Sequence, residues 1–332
     1  MRNNLRTLRF IISPVVVIVL LGLWATVLPV GGSRMVVVNI PRGASASAIA
    51  NVLAKHGVVR SALGFKLLAL ISGKSDQLKP GGYNLNTSMS PLTVLWKIVD
   101  GDVYAHWITI PEGFSVRQIG QRLEVQKLGS ASRFEELALR HAYMFQTNFP
   151  HPSNSLEGYL FPDTYLIPVG ASEESIIQTM LSAFESKVIK RLSTEITTSG
   201  MNLHEVVTLA SLIEREAKVP EDRPLISAVL RNRLQKNMRL QCDATVLYAL
   251  GKHKSRVLYR DLKVDSPYNT YLHPGLPPGP IANPGLASIR AAIRPADVDY
   301  LYYVARPDGS HVFSNSLDEH LRAIQLVRKD RN

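Results

Sequence analysis

In the stretch LASLIEREAKVP, Leu209 to Pro220, two glutamates, Glu214 and Glu216, flank an arginine in a run with the spacing of a helix's last turns. A carboxyl group does chemistry near neutral pH when its surroundings keep a proton on it until a reaction needs one; it then serves as a general acid and, once ionised, as a base. On a helical wheel anchored at Leu203, the residues Val206, Val207, Ala210, Ile213 and Ala217 form one apolar stripe, and Glu214 falls within it. Glu216 lies about 200° further round, beside Leu209 and Leu212. With apolar residues on both sides the helix is expected to be buried nearly all round, and a carboxylate there must be paired, hydrogen-bonded or functional. Lys218 stands four residues after Glu214 and offers it an ion pair. Position 220 is proline, so Glu216 has no such partner. It is also expected at the helix's C-terminal end, where the negative pole of the macrodipole raises a carboxyl pKa. On these grounds either glutamate is a candidate acid, and each also has a structural reading.

The elements that must position this pair can be read along the chain. Residues 40–53, IPRGASASAIANVL, match residues 110–123, IPEGFSVRQIGQRL, in register at Ile, Pro, Gly, Ser, Ile and Leu. Each copy follows a β-branched or alternating run, MVVVNI or AHWITI, which predicts a strand, a Pro-Gly turn and a helix capped by Ser45 or Ser115. The first unit continues through a second helix in HGVVRSALGFKLLALISG, a hairpin-like return in LKPGGYNL and a third helix in SPLTVLWKIVDG, giving a compact domain over 36–105. The second leads to helical segments near RFEELALRHAYMFQ and then to SLEGYLFPDTYLIPVG, expected as a packed, irregular pocket wall. Helices follow in EESIIQTMLSAFESKVIKRL, at 202–218 and from Arg223 to Lys236. The Pro-rich stretch Ser266 to Gly285 is expected to be a fixed loop, because X-Pro restrictions leave it few conformations. LASIRAAIR reads as a helix, and YLYYVA and HVFS as a hairpin across RPDG.

The start of the chain bears on compartment. Arg2, Arg6 and Arg9 precede an uncharged run from Phe10 to Val30, roughly the 20 residues that a helix needs to cross a bilayer. The expectation is a cytoplasmic tail over 1–9, a transmembrane helix over 10–30 and the remaining chain outside the cytoplasm. A cleaved signal peptide is the alternative, although ATVLPVGGS lacks a clear small-x-small site. The net charge of +11 would suit nucleic acid, anionic lipid or an acidic polymer, and behind a membrane anchor the last two fit better than nucleic acid. Cys242 is the single cysteine among 332 residues, so no intramolecular disulfide can form; it reads as a buried, inert thiol. The sequence calls for no metal and no cofactor.

LASLIEREA, RNRLQKNMRLQCDATVLYALG and SPYNTYLHPGLPPGPIANPG, with EGYLFPDTY upstream, resemble the endolytic murein transglycosylase family, the YceG-like proteins. The resemblance covers essentially the whole chain. It implies an α+β fold: an N-terminal transmembrane helix, a LysM-like α/β domain over 36–105 and a mixed α+β lytic transglycosylase domain over 106–332. It also implies a single-pass inner-membrane protein whose catalytic domain is periplasmic, with peptidoglycan glycan strands as substrate and cell-wall synthases as candidate partners. The implied reaction cleaves the MurNAc-GlcNAc bond without water, leaving 1,6-anhydro-MurNAc ends, and the second glutamate of the family's Glu-x-Glu pair, here Glu216, is its acid and then its base. Gln241, Asp243, Tyr268, Asn269, Thr270 and Tyr271 match positions that would line the glycan groove, with turn-capping and packing as their alternative roles. Glu157 is expected among the substrate-binding residues as well, and Glu157 and Asp163 are the candidates if a second carboxylate assists. Cys242 and Ala244 depart from the family pattern, which has Thr or Ser and Pro there. A membrane-tethered glycan-binding scaffold and a lysozyme-like hydrolase remain the competing readings.

Overall fold

A computed structural model of the chain describes residues 28–41, 43–251 and 257–329. The expected cytoplasmic tail and all but the last three residues of the expected span over 10–30 lie outside the described residues. Among those described, no helix is long and apolar enough to cross a membrane. The fold is mixed α and β, and the chain divides into two compact units. One runs to His106 and takes back Leu166–Ala171; the other holds Trp107–Tyr165 and the chain from Ser172 onward.

The first unit is ordered β1 (Met35–Ile40), α1 (Ala46–Lys55), α2 (Ala62–Ile71), β2 (Gly81–Asn86) and α3 (Pro91–Asp100). Ser45, Ser61 and Ser90 each accept the backbone N–H three residues on, which satisfies a donor that the first helical turn leaves open. The segment expected to return as a hairpin instead supplies β2, which pairs antiparallel with β1 so that Met35 faces Asn86 and Ile40 faces Gly81. The alternation of β1 turns Val38 and Ile40 onto Leu53, Phe65, Tyr83 and Leu85 in the unit's core.

The chain leaves and re-enters this unit through β3 (Ala105–Thr109) and β4 (Thr164–Pro168), which form a two-stranded sheet. β4 lies in the stretch expected to be irregular. Between the two strands are α4 (Val116–Val125) and α5 (Ala131–Arg140). Ser115 and Gln118 close a reciprocal capping box at the start of α4. α6 (Glu173–Phe184) and α7 (Lys190–Thr198) are joined by a wide π turn over Glu185–Ile189. The centre of this unit is α8 (Leu203–Glu216), in which every residue from Val206 to Ile213 is buried. α9 (Asp222–Gln235), α10 (Asp243–Leu250) and α11 (Leu286–Ile293) pack around it. The expected hairpin forms as β5 (Tyr302–Ala305) and β6 (His311–Ser314), and α12 (Leu317–Lys329) follows.

Candidate active site

The two glutamates part company where α8 stops. Ala217 is extended, with ψ 123°, and its N–H returns to the Ile213 carbonyl, so the helix ends at Glu216 rather than at residue 218. Lys218 therefore leaves the helix before it can reach Glu214, and the expected i,i+4 pair does not form. Glu214 is instead held from distant elements. The Gly285 N–H at the start of α11 donates to its Oε2 at 3.0 Å, and the Arg223 guanidinium of α9 stands 3.7 Å from its Oε1. Glu112 approaches the same cluster, and its carboxyl is raised by burial and by the charge of Glu214 against the opposing pull of Arg223. Glu214 is thereby a tie between three elements.

Glu216, half-buried at the helix tip, has different company. The Tyr303 hydroxyl of β5 and the Ala244 N–H in the first turn of α10 donate to its carboxylate. Burial pushes the Glu216 carboxyl up to about 7, and the negative charge of Asp243 adds to the rise. The Tyr303 and Ala244 donors and the charge of Arg215 oppose it. Desolvation, expected from the apolar residues around the helix, is the largest cause, and the charge of Asp243, which the sequence did not point to, is the next. A group that titrates near 7 can give up a proton and take one back at the same pH, as acid-then-base work requires.

Next to this tip is a cavity of about 490 Å³, lined among others by Gln118, Glu157, Arg215, Ala244, Tyr248 and Ile281. Glu216 is not itself in the lining; it meets the wall through its neighbour Arg215 and through Ala244. Glu157 lies at the wall and is nearly inaccessible. Its carboxylate receives the Val116 N–H that opens α4 at 3.0 and 3.2 Å, the Asn283 amide at 3.2 Å and the Tyr248 hydroxyl at 3.3 Å. Burial nevertheless pushes the Glu157 carboxyl up to about 8, the Val116 and Tyr248 donors and the Arg117 charge notwithstanding. Ala244 and Tyr248 are one turn apart on α10, so the helix meets Glu216 and Glu157 at points separated by about 6 Å of axial rise.

The remaining residues marked by the sequence fall into two groups. Asp243 is exposed at the head of α10 and accepts the Tyr271 hydroxyl at 2.6 Å. Gln241, exposed with φ 54°, receives the Arg233 guanidinium at 3.3 Å. Tyr268 stands against Tyr248 with ring centres 4.9 Å apart. Asn269 and Thr270, by contrast, face inward. The Asn269 amide donates to the Leu262 and Val264 carbonyls, and the Thr270 hydroxyl accepts the Cys242 N–H at 3.0 Å and meets Thr245 at 2.9 Å. Both hold the loop around the site. Asp163 is paired with Lys187 and is absent from the cavity lining. Cys242 is buried, and burial, followed by the charge of Glu216, pushes its thiol well up, which matches the inert reading.

Sequence reasoning missed Tyr303, Tyr248 and Asn283. Tyr303 reads only as an aromatic strand residue, and nothing local ties it to a carboxylate 87 positions earlier. Its role makes a prediction of opposite signs. In Asp243→Asn, which removes the neighbouring negative charge, the Glu216 pKa should fall and the alkaline limb of kcat/KM should move to lower pH. In Tyr303→Phe, which removes a donor to the carboxylate, the limb should move to higher pH. Profiles that move together, or not at all, would mean that neither group acts through Glu216.

Known proteins are similar to this chain over most of its length. An endolytic murein transglycosylase of Bacillus subtilis is 40% identical over 312 residues, spanning 89% of this chain and 85% of that protein. One from Streptococcus pneumoniae serotype 2 is 33% identical over 321 residues, spanning 88% of this chain and 58% of that protein. A crystal structure of a YceG-like protein from Listeria monocytogenes superposes with a TM-score of 0.59 at 36% identity, covering 88% of this chain and 99% of that one. The sequence profile of the YceG-like family matches residues 38–326, which takes in both units and every carboxylate described above, and on that extent the chain belongs to the YceG-like family.

Proposed function

We propose that this chain is an endolytic peptidoglycan transglycosylase in which Glu216 is the acid and then the base. The observation that carries the assignment of the acid is a carboxyl pushed to about 7 at the tip of a buried helix, beside a cavity of sugar-binding size and polarity. The names of the 40% and 33% identical relatives supply the reaction class.

In this reading the protonated Glu216 gives its proton to the glycosidic oxygen as the C1–O bond of MurNAc breaks. The MurNAc C6 hydroxyl then forms the new bond to C1, and its proton passes to the Glu216 carboxylate. The acid is regenerated and no water is consumed. Ordinary glycosidases need two carboxylates because one must activate water or form the glycosyl bond, whereas an intramolecular hydroxyl is already in place. Glu157, tied to a helix start, an amide and a phenol, is a positioning residue that fixes Tyr248 and the cavity wall. Tyr268 and Tyr248 offer ring faces to sugars, and Gln241 and Asp243 offer polar groups. Asn269 and Thr270 hold the loop that presents Tyr268 and Tyr271 rather than touching the glycan.

Two further assignments complete the reading. Residues 10–30 anchor the chain in the inner membrane with its bulk in the periplasm, which the basic tail and the uncharged run support. The first unit is LysM-like, which its β-α-α-β order and antiparallel β1–β2 pair support.

The test is the mass of the products released from uncrosslinked glycan strands by the full chain. Fragments lighter by one water than hydrolytic products, with anhydro ends, are expected. Reducing-end muramic acid would make the protein a hydrolase, and intact strands would leave it a binding scaffold.

A further inference from the structure

The first unit carries an apolar helix face that its own core does not use. α2 reads ALGFKLLALI, and Lys66 is its single polar residue. Phe65 and Ala69 are buried in the core, while Leu63, Leu70 and Ile71 on the other side are 66%, 63% and 83% exposed. A helix that is apolar all round is either enclosed by protein or lies against a membrane. The exposed Lys66 shares the outer face, three residues from Leu63 and four from Leu70. Just past the helix, the Lys74 ammonium sits 5.4 Å from the centre of the Trp96 ring, which is itself partly exposed on α3 beside Leu92. From Arg60 to Lys74 the sequence has three cations and no acid. Leucine and isoleucine flanked by lysines and an interfacial tryptophan are what a helix lying in a headgroup layer presents.

The point at which the chain enters this unit decides what covers that face. The uncharged run closes at Pro29 and Val30, and their carbonyls accept the Arg60 guanidinium at 2.9 Å (Nε) and 3.5 Å (Nη2). Arg60 precedes the first residue of α2 by two positions. The end of the anchoring run and the start of the unpartnered helix are therefore held together. We infer that the outer face of α2, together with Trp96, lies on the surface of the bilayer that holds residues 10–30, with Arg60, Lys66 and Lys74 meeting anionic headgroups. This inference rests on the anchor assigned above.

The full chain, carrying Leu70→Cys or Ser47→Cys, is labelled with an environment-sensitive fluorophore and reconstituted into phosphatidylcholine–phosphatidylglycerol vesicles containing a doxyl-lipid quencher. The native Cys242 is buried, and the unsubstituted chain controls for its labelling. Ser47 is exposed on α1, which begins beyond the far end of β1, about 20 Å of extended chain from Met35. The Leu70 label is expected to be blue-shifted and quenched about threefold or more beyond the Ser47 label. Equal quenching at the two sites in vesicles that carry the protein on flotation overturns the inference and leaves the anchor standing. A chain that does not float with the vesicles overturns both.

Discussion

Glu216→Gln should lower the rate of glycan cleavage by about 10³-fold or more while the protein keeps its fold, because an amide can neither deliver the first proton nor collect the second. The substitution is close to isosteric, and the amide oxygen still accepts from Tyr303 or Ala244, so the thermal transition should move little. In the unsubstituted protein, kcat/KM should decline as pH rises through about 7, since the reactive form is the protonated carboxyl. The sign is fixed by the direction of the shift. Burial and Asp243 favour the neutral acid, so the proton is present below that pH and is lost above it. Anhydro-product formation followed across pH 5 to 9 measures both effects. A Glu216→Gln protein that retains more than about a tenth of the rate would remove Glu216 from the mechanism.

Glu214→Gln supplies the contrast. The Gly285 N–H can still be met by an amide oxygen, but the charge facing Arg223 is lost from a position only 7% exposed. That change belongs to stability, where breaking a buried pair costs about 3–5 kcal/mol at most and the approach of Glu112 offsets part of it. Its rate constant should stay within about tenfold of the parent, since the Glu214 carboxylate is taken up by the Gly285 N–H and Arg223 and does not share the donors that define Glu216. The two glutamates of one motif thus separate by readout, one in rate and pH profile, the other in melting temperature.

What could be read in the sequence was local. Ser45 and Ser115 cap helices where the repeated Ile-Pro-x-Gly-x-Ser pattern places them, since a capping bond spans three residues and needs no distant partner. The apolar wheel of α8 foretold burial on all sides for the same reason. The helix end was misjudged because Lys218 and Val219 do not themselves stop a helix, and Pro220 was the first residue that must. The turn at Ala217 comes earlier, and the chain then re-enters helix at Asp222. The partners of each carboxylate were hidden because all of them are remote in sequence. Glu214 is met from Gly285, Glu157 from Val116 and Asn283, and Glu216 from Tyr303. One chain without its fold carries no record of such pairings, and for that reason the wheel alone could not rank the two glutamates.

Gly158→Ala should lower the melting temperature by about 5–15 °C and reduce cleavage with it, although the residue has no chemistry of its own. Gly158 sits at φ +88°, where a side chain is disfavoured by roughly 1–2 kcal/mol. An added Cβ would come within 2.5 Å of the Pro280 ring and 2.7 Å of Val207 Cγ1, neither of which is the free end of a flexible chain. Overpacking of that kind costs about 1–3 kcal/mol more, giving about 2–5 kcal/mol in all. Gly275 isolates the second contribution, since at φ +82° its added Cβ would meet nothing within 4 Å. Gly275→Ala should therefore show the backbone cost alone, a fall of about 2–6 °C. The functional consequence follows from position. Gly158 adjoins Glu157 in the chain, Pro280 precedes the cavity residue Ile281, and Val207 belongs to the helix that carries Glu216. Whichever of the three yields, a wall of the site shifts, so kcat/KM should drop in Gly158→Ala even at temperatures well below its transition. Equal melting temperatures for the two alanine variants by calorimetry would show that this close packing does not hold the site together.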